Sequence, residues 1–401
     1  MNFLIAVLGL GLLIFVHEAG HFFTARAVGM TPRRFYIGFP PPLARVRRKG
    51  IEYGIGAIPL GGYVKIPGMH RPAPSDVDAY FGPALAQAPQ LIGPLEHVKR
   101  RLAEDDLEGA RGLLGALEEA VQRAELTSQA EKAAHRGLDE LRDGLGTDAY
   151  WRQRTWRRVA VIFAGPGTNV VFAVVLFTTL FVISSGGYRL GFSLKPDAPV
   201  VEEVRADRPA GQIGLKPGDR IIAINGHRVE NGEDVPRLIE ASNGHKVTVE
   251  VRRAGMTLAL GPVKPHREPK LSVPRASWES LRLTGLVTKE IGASLGRLVH
   301  GEGRKDVSSP VGIVEGSSEA LDRGVETYLW VLGLLSLSLA LLNLLPLLPL
   351  DGGHIAFSIV EGVRGRAVGR EVYERVSAIG IALVILLFFI GLSNDVGRLG
   401  E

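Results

Sequence analysis

Long apolar runs alternate with charged stretches along the 401 residues of the chain. Residues 2–16 carry no charged side chain and lead into a polar motif, so we expect one helix over residues 1–27, long enough to cross a bilayer. Three further apolar runs cover residues 159–184, 328–350 and 377–393, of which the last is the shortest. The pattern predicts a polytopic α-helical membrane protein with about four transmembrane helices.

Two polar regions separate the first and second apolar runs. Residues 44–66 contain β-prone pieces bounded by glycine, which predict a membrane-associated hairpin or small sheet with a turn at Pro59–Tyr63. Residues 84–147 are rich in Ala, Leu, Glu and Arg, with apolar residues at three- and four-residue steps. We expect two or three cytoplasmic helices there, with a surface that is either simply solvated or a docking face for a partner.

A third polar region, residues 190–267, consists of short β-prone runs separated by Pro-Gly and Asn-Gly turns. Residues 214–226 resemble the PDZ family, which implies a β-rich extracytoplasmic domain with a groove for peptide ends or extended segments. The same resemblance implies a carboxylate-binding loop formed by Leu190, Gly191 and Phe192. Residues 277–299, which follow this domain, have the moderate amphipathicity of a helix lying at the outer membrane interface.

The net charge of +5 is modest, and the basic residues gather beside the apolar runs. No basic patch interleaved with aromatic residues stands out, so nucleic acid is not expected as a partner. The positive-inside rule puts the basic residues between Arg26 and Lys49, at Arg152–Arg158 and at Arg364–Arg370 on the cytoplasmic side. Both chain termini then face outward, and the first helix ends toward the cytoplasm.

The motif at the end of the first run is His17-Glu18-Ala19-Gly20-His21, an H-E-x-x-H pattern. Residues four apart on a helix share a face, so both imidazoles can reach one Zn²⁺ while Glu18 lies beside its open coordination position. Ionisable groups at the end of a membrane helix are costly unless they are paired or bound to metal. The chain has no cysteine, which excludes thiolate ligands. The pattern predicts one catalytic zinc per chain, with Glu18 as general base.

Two histidines leave a catalytic zinc one protein ligand short. Asp351 directly follows the third run, at the end expected to face the cytoplasm, and Pro346 and Pro349 would break the helix there. We favour Asp351 as the third ligand because no other carboxylate borders an apolar run on that side so closely. Two alternatives stay open: His354 is the rival ligand, and Asp-Gly-Gly is also typical of a turn at a membrane boundary.

Two further features have two interpretations each. Asn169 follows Gly165-Pro166 in the second run, where the helix can loosen, and its amide either joins two helices or faces the substrate. The region 44–66 either rests on the membrane surface or takes up an extended substrate along one edge by strand addition. We favour the edge, because a substrate helix must unwind before its amides can be attacked. Its substrate-positioning residues would be Gly61, Gly62 and Tyr63.

Several segments together resemble the signatures of the site-2 proteases, which are intramembrane zinc metalloproteases. These segments are Phe15–Phe22 with Ala25-Arg26, Pro59–Lys65, Gly165-Pro166 with Asn169, and Asn343–Gly352. A single PDZ domain between the second and third runs and the segment Ser309–Ile313 are similar to the bacterial RseP-type branch. The resemblance implies His17, His21 and Asp351 as ligands, Glu18 as base, and Asn169 and Asn343 as residues near the substrate.

The same resemblance implies regulated intramembrane proteolysis in the inner membrane of a bacterium. Single-span transmembrane proteins, such as anti-sigma factors or remnant signal peptides, would be the substrates, with access gated by the PDZ domain. The helical insert at 84–147 is larger than the resemblance implies. Two alternatives remain: a membrane-anchored PDZ scaffold or chaperone with a structural metal, and an anchored protease that cuts loop peptides. Three protein ligands with an open position would favour an enzyme, whereas a closed four-ligand site would favour the scaffold.

Overall fold

The first apolar run forms one continuous helix, α1 (Asn2–Ala27), which also carries the metal motif. The structure is a computed structural model and describes residues 1–184, 186–195, 198–300, 303, 307–368 and 370–399. The chain divides into two compact units. One consists of Met1–Leu176 together with Arg282–Glu401, and the other of Phe177–Leu281.

A sheet of two long strands follows α1, formed by β1 (Arg34–Arg48) and β2 (Ile51–Lys65). The chain reverses at Lys49-Gly50, where both residues have positive φ, as tight hairpin turns require. The sheet therefore begins well before the predicted boundary at residue 44. The turn predicted at Pro59–Tyr63 is wrong, because Gly62 and Tyr63 lie inside β2 and pair with β1.

The beginning of β1 lies between two segments of β2. Arg34–Ile37 pair with Glu52–Ile55 and also with Gly62–Lys65, so the long strands fold into a compact, curled sheet. Among the described residues, the segment Gly62–Lys65 pairs with Arg34–Ile37 and with no other strand segment. Since β2 packs against α1, this segment of the sheet comes close to the metal motif.

Residues 84–147 contain three helices, which agrees with the two or three predicted, and a fourth helix precedes them. In chain order the four are α2 (Pro74–Leu85), α3 (Ile92–Ala103), α4 (Leu107–Arg123) and α5 (Ser128–Leu145). The bundle begins before the predicted residue 84, because Val77, Phe81 and Ala84 share one face of α2 and are buried in the same core. Leu95, Val98 and Leu102 bury the corresponding face of α3, as their spacing predicts. We call α2–α5 the helical insert.

Helix α6 (Thr155–Ser184) runs through Gly165-Pro166 without a break and leads into the β-rich unit. That unit contains, in chain order, β3 (Gly187–Arg189), β4 (Phe192–Leu194), β5 (Val201–Val204), α7 (Pro209–Gln212), β6 (Arg220–Ile224), β7 (His227–Arg228), α8 (Asp234–Ala241), β8 (Val247–Arg253), β9 (Met256–Val263) and β10 (His266–Glu268). A four-stranded sheet has the order β7-β6-β8-β9, while β4 pairs with β5 and β3 with β10. Val247, Val249 and Val251 alternate into its core, as the pleat of a strand requires.

The last part of the chain is helical. It contains α9 (Val273–Val299), α10 (Pro310–Arg323), α11 (Val325–Asn343), α12 (Asp351–Arg364) and α13 (Arg370–Leu399). Among the described residues, four helices are long and apolar enough to cross a membrane: α1, α6, α11 and Val372–Gly397 within α13. This number agrees with the apolar runs. The fourth helix is longer than the predicted 377–393, because the charged residues at its start continue the same helix.

The predicted third span, 328–350, is corrected at its end. Helix α11 ends at Asn343, and Asp351 begins α12 instead of ending the membrane helix. Pro346 and Pro349 cannot donate the backbone hydrogen bonds that would continue α11. A Cβ on Gly352 would collide with backbone carbonyls at the end of α11, so glycine lets α12 begin this close to it. The interpretation of Asp-Gly-Gly as a boundary turn is therefore wrong, since these residues form the first turn of a helix.

Candidate metal centre

His17 and His21 lie one turn apart on α1, and both side chains are buried. Their Nε2 atoms are 3.3 Å apart, as the four-residue spacing on one helical face allows. Glu18 is the next residue on the helix after His17. The motif thus supplies two converging nitrogen atoms with a carboxylate beside them.

Asp351 completes a cluster of three possible metal ligands. Its Oδ2 lies 3.1 Å from His17 Nε2 and 3.4 Å from His21 Nε2. Ligands bound at about 2.0–2.1 Å in a tetrahedron lie about 3.3–3.4 Å from one another, so these separations fit a zinc ion. Apart from the two imidazoles, the buried Oδ2 has no hydrogen-bond partner among the described residues. Two nitrogens and one carboxylate oxygen also form a donor set typical of catalytic zinc.

One face of α6 packs against the two histidines. His21 Nδ1 donates a hydrogen bond of 2.8 Å to the carbonyl oxygen of Val161, which leaves the lone pair of Nε2 free for a metal. The side chain of Asn169 is fully buried, and its Nδ2 lies 3.5 Å from His17 Nδ1. Turning this amide over would bring Oδ1, which has no partner within the described residues, to the Nδ1–H of His17. Each imidazole therefore has a neighbour on α6 that orients its ring.

Glycines allow α1 and α6 to approach this closely. A Cβ on Gly20 would collide with the carbonyl oxygen of Ala164 and lie 2.6 Å from Thr168 Oγ1. A Cβ on Gly165 would collide with His21 Nε2 and lie 2.9 Å from His17 Nε2. The missing side chain at Gly165 thus keeps open the space beside both Nε2 atoms. The Thr168 hydroxyl closes the contact between the helices by donating to the carbonyl of Val16 at 3.0 Å.

Strand β2 passes beside Glu18. A Cβ on Gly62 would lie 3.0 Å from Glu18 Cγ and 3.3 Å from Ile14 Cγ2. Tyr63 points away to stack on Tyr36, with ring centroids 5.2 Å apart. Gly62, one of the three residues predicted on this edge, thus lies against the residue predicted to be the general base.

The remaining predicted residues occupy different positions. Asn343 is the last residue of α11 and is half-buried. His354, the rival third ligand, lies outside the ligand cluster, and its Nδ1 is 2.6 Å from the hydroxyl of Tyr373. Burial lowers the pKa of His354 to about 4, so its ring is neutral at pH 7 and can accept a hydrogen bond from that hydroxyl. The geometry therefore favours Asp351 over His354.

The β-rich unit has a cavity of about 460 Å³ between β4 and α8. Leu190, Gly191 and Phe192, the predicted carboxylate-binding loop, line one side of this cavity. Val235 and Ile239 of α8 line the other side. The cavity is thus apolar along the helix and bordered by the predicted loop.

Sequence reasoning missed most of the α6 face. Its members, Val161, Ala164, Gly165, Thr168 and Asn169, are spaced as residues on one side of a helix. Small and polar residues repeated at this spacing in an otherwise apolar helix could have indicated a close helix contact. Val161 has no such signal, because its backbone carbonyl makes the contact.

The chain is similar over most of its length to known zinc metalloproteases. Peptidase family M50 matches residues 5–387. Zinc metalloprotease RasP of Geobacillus kaustophilus is 28% identical, with 97% of this chain and 96% of the relative covered. The regulator of sigma-W protease RasP of Bacillus subtilis is also 28% identical, again with 97% of this chain and 96% of the relative covered. The chain therefore belongs to peptidase family M50, the site-2 proteases, and is a zinc metalloprotease.

Proposed function

We propose that His17, His21 and Asp351 hold the zinc ion of this protease and that Glu18 is its general base. The observation that carries the proposal is that His17 Nε2, His21 Nε2 and Asp351 Oδ2 lie 3.1–3.4 Å from one another. The two histidines are on α1, and Asp351 is the first residue of α12. Within the described residues this cluster offers three protein ligands, not four. A site with a free coordination position favours an enzyme over a scaffold with a structural metal.

The proposed chemistry divides between the metal and Glu18. When bound, zinc would supply a Lewis acid that polarises the scissile carbonyl and lowers the pKa of a water molecule. Glu18 would take a proton from the attacking water as the new C–O bond forms. It would return that proton to the amide nitrogen as the C–N bond breaks, so that the carboxylate is regenerated. Val161 and Asn169 would keep the two imidazoles oriented throughout.

The substrate must present an accessible peptide bond to this site. A transmembrane helix hides its amides in its own hydrogen bonds, and unwinding it in lipid leaves polar groups without partners. We propose that Gly61, Gly62 and Tyr63 offset this cost by pairing with the unwound segment as an added strand. The proximity of Gly62 to Glu18 supports this role. Asn343 is proposed to contact the substrate directly, and Asn169 to act through His17.

We propose residues 190–267 as a PDZ domain that receives peptide ends or extended segments in the cavity between β4 and α8. The lining of this cavity by Leu190–Phe192 and by Ile239 supports the assignment.

The basic residues around Arg26 and Arg152 support an active site toward the cytoplasm and chain termini on the outer side of the membrane. The substrates would be single-span proteins of a bacterial inner membrane, such as anti-sigma factors or remnant signal peptides. The name of the Bacillus subtilis relative, a regulator of sigma-W, fits the first class.

Mass spectrometry of cleavage products tests the proposal. Native protein and Glu18→Gln protein, both with measured zinc content, are incubated with single-span candidate substrates in lipid nanodiscs. We expect cleavage within or beside the transmembrane segment by native protein. We expect a loss of about 10²–10⁴-fold in Glu18→Gln protein at unchanged zinc content, because the general base is gone. Full activity of Glu18→Gln protein would contradict the mechanism, and cleavage confined to loop peptides would contradict the substrate class.

A further inference from the structure

The helical insert has no part in the chemistry proposed above. Its helices share a core of their own, which includes Phe81, Leu95 and Leu117. Yet the end of α5 contacts the sheet through charged side chains rather than through this core. These contacts are made by the residue just before β1 and by the last residue of β2, so they bear on how β2 is held.

Asp143, near the end of α5, is the centre of these contacts. Its side chain is 8% exposed, and it accepts a hydrogen bond of 2.7 Å from Arg33 Nε while lying 3.0 Å from Lys65 Nζ. Lys65 also donates to Glu140 at 2.8 Å, and Arg33 donates to Asp148 at 2.9 Å. All of the acidic partners belong to α5 or the residues just after it, and both cations belong to the sheet region.

Arg33 and Lys65 mark the base of the sheet. Arg33 immediately precedes β1, Lys65 is the last residue of β2, and the backbone N–H of Arg33 donates to the carbonyl of Lys65 at 2.8 Å. Backbone hydrogen bonds from Tyr150 to Pro67 and from Trp151 to Gly68 extend the attachment beyond β2. A single carboxylate of the helical insert therefore links the residue before β1 to the last residue of β2.

We propose that the helical insert is a brace that positions β2 beside Glu18, and that Lys65 is a positioning residue for the protease. Lys65 is three residues after Gly62, at which β2 lies against Glu18. An extended strand transmits displacement of one residue to its near neighbours because its backbone has little slack. The functional part of this inference rests on the strand-pairing role proposed above for β2.

Lys99 provides a matched control within the insert. Lys65 bridges Glu140 and Asp143 with a side chain that is 22% exposed. Lys99 bridges Asp78 and Glu96 at 2.9 and 2.8 Å, with a side chain that is 23% exposed. The two lysines thus have the same kinds of partner, similar distances and similar exposure of their own side chains, although the carboxylates that Lys99 contacts are more exposed than those that Lys65 contacts. They differ in that Lys99 joins residues of the insert to one another, whereas Lys65 joins the insert to β2.

The experiment compares Lys65→Met, Lys65→Arg and Lys99→Met in the full chain in nanodiscs. It measures zinc content, amide hydrogen exchange across residues 61–65, and kcat and KM for a cleaved single-span substrate. We expect Lys65→Met to speed exchange at residues 61–65 about tenfold or more, because the end of the strand opens locally. We expect its kcat/KM to fall about tenfold, mainly through KM, since substrate pairing is impaired. Lys65→Arg protein should have an exchange rate at residues 61–65 and a kcat/KM close to those of native protein. In Lys99→Met protein both quantities should stay within about twofold of the native values.

The exchange measurement does not depend on catalysis, so it separates this inference from the proposed function. Equal acceleration in Lys65→Met and Lys99→Met protein would overturn the brace, because it would indicate a general loosening of the insert. Unchanged exchange at residues 61–65 in Lys65→Met protein would overturn it as well. Faster exchange without any change in KM would leave the brace in place and contradict the strand-pairing role of β2.

Discussion

The metal centre and the cavity of the β-rich unit differ in the space around one glycine of each, Gly165 and Gly232. At the metal centre, a Cβ on Gly165 would collide with His21 Nε2. In the β-rich unit, a Cβ on Gly232, which lines the cavity, would meet its nearest neighbour at 3.8 Å, an ordinary van der Waals contact. The metal centre therefore has no room for one added carbon at Gly165, whereas the cavity has room for one at Gly232.

The difference follows from how each site is built. Three segments far apart in sequence meet at the metal centre, and individual atoms of α1, α6 and α12 set its geometry. The cavity in the β-rich unit is supported by a shared core that includes Leu190, Ile221 and Val249. One added carbon at Gly165 should therefore impair function strongly, whereas one added carbon at Gly232 should have a small effect.

The largest effect is expected from Gly165→Ala. The added methyl would occupy the space beside both ligand nitrogens, so we expect zinc affinity to fall by at least about 10–100-fold and proteolysis with it. Zinc content by mass spectrometry and competition with a chelator measure the change. Helix content should not fall, because alanine favours a helix more than glycine does.

Two matched variants sharpen this prediction. A Cβ on Gly167 would come no closer than 3.3 Å to the ring of Phe163, so Gly167→Ala should retain zinc. Gly232→Ala should retain zinc and leave the cavity of the β-rich unit open. If Gly165→Ala protein bound zinc as tightly as these two variants, the prediction that an added methyl at Gly165 blocks the space beside the imidazoles would be contradicted.

A smaller, pH-dependent effect is expected in the β-rich unit from Asp219→Asn. The Asp219 side chain is 1% exposed and accepts two hydrogen bonds of 2.6 Å from Arg253. Burial alone would raise the pKa of the Asp219 carboxyl, but Arg253 and the backbone N–H of Lys216 outweigh burial and lower that pKa. We expect Asp219→Asn to lower the free energy of unfolding of this unit by about 2 kcal/mol at pH 7.

The sign of the pH dependence follows from the lowered pKa. The unfolded chain takes up the proton at about pH 4, whereas the folded unit resists it until lower pH. The stabilisation by Asp219 is therefore complete above about pH 5 and is lost as the pH falls below 4. Amide hydrogen exchange of β8 at several pH values, corrected for intrinsic rates, measures this loss. Asp207, whose side chain is 68% exposed, is the control, and an equal response of Asp207→Asn would exclude a special role for the buried pair.

Much of the metal centre could be predicted because its signals are local. The four-residue spacing of His17 and His21 specifies a shared helix face, and few carboxylates border an apolar run as Asp351 does. The start of α12 at Asp351 could not be predicted, because it depends on Gly352 approaching the end of α11. The same holds for Gly165, whose importance depends on which helix packs against it.

The attachment of the helical insert could not be predicted for a different reason. The chain has 47 basic and 42 acidic residues, so charge alone allows far too many pairings. Arg33 and Asp143 are 110 residues apart, and they meet only after α5 and the sheet have folded. The amphipathic pattern of the insert predicts its helices, but it carries no information about the element on which the bundle rests.

The most direct test of the metal centre is zinc X-ray absorption spectroscopy on native and Asp351→Ala protein. We expect the native spectrum to contain two imidazole nitrogens and additional oxygen ligands at about 2.0–2.2 Å. We expect Asp351→Ala protein to bind zinc weakly and, when it is loaded with excess zinc, to show one oxygen ligand fewer than native protein. A native spectrum with more than two imidazoles, or an Asp351→Ala spectrum identical to the native one, would contradict the proposed centre of His17, His21 and Asp351.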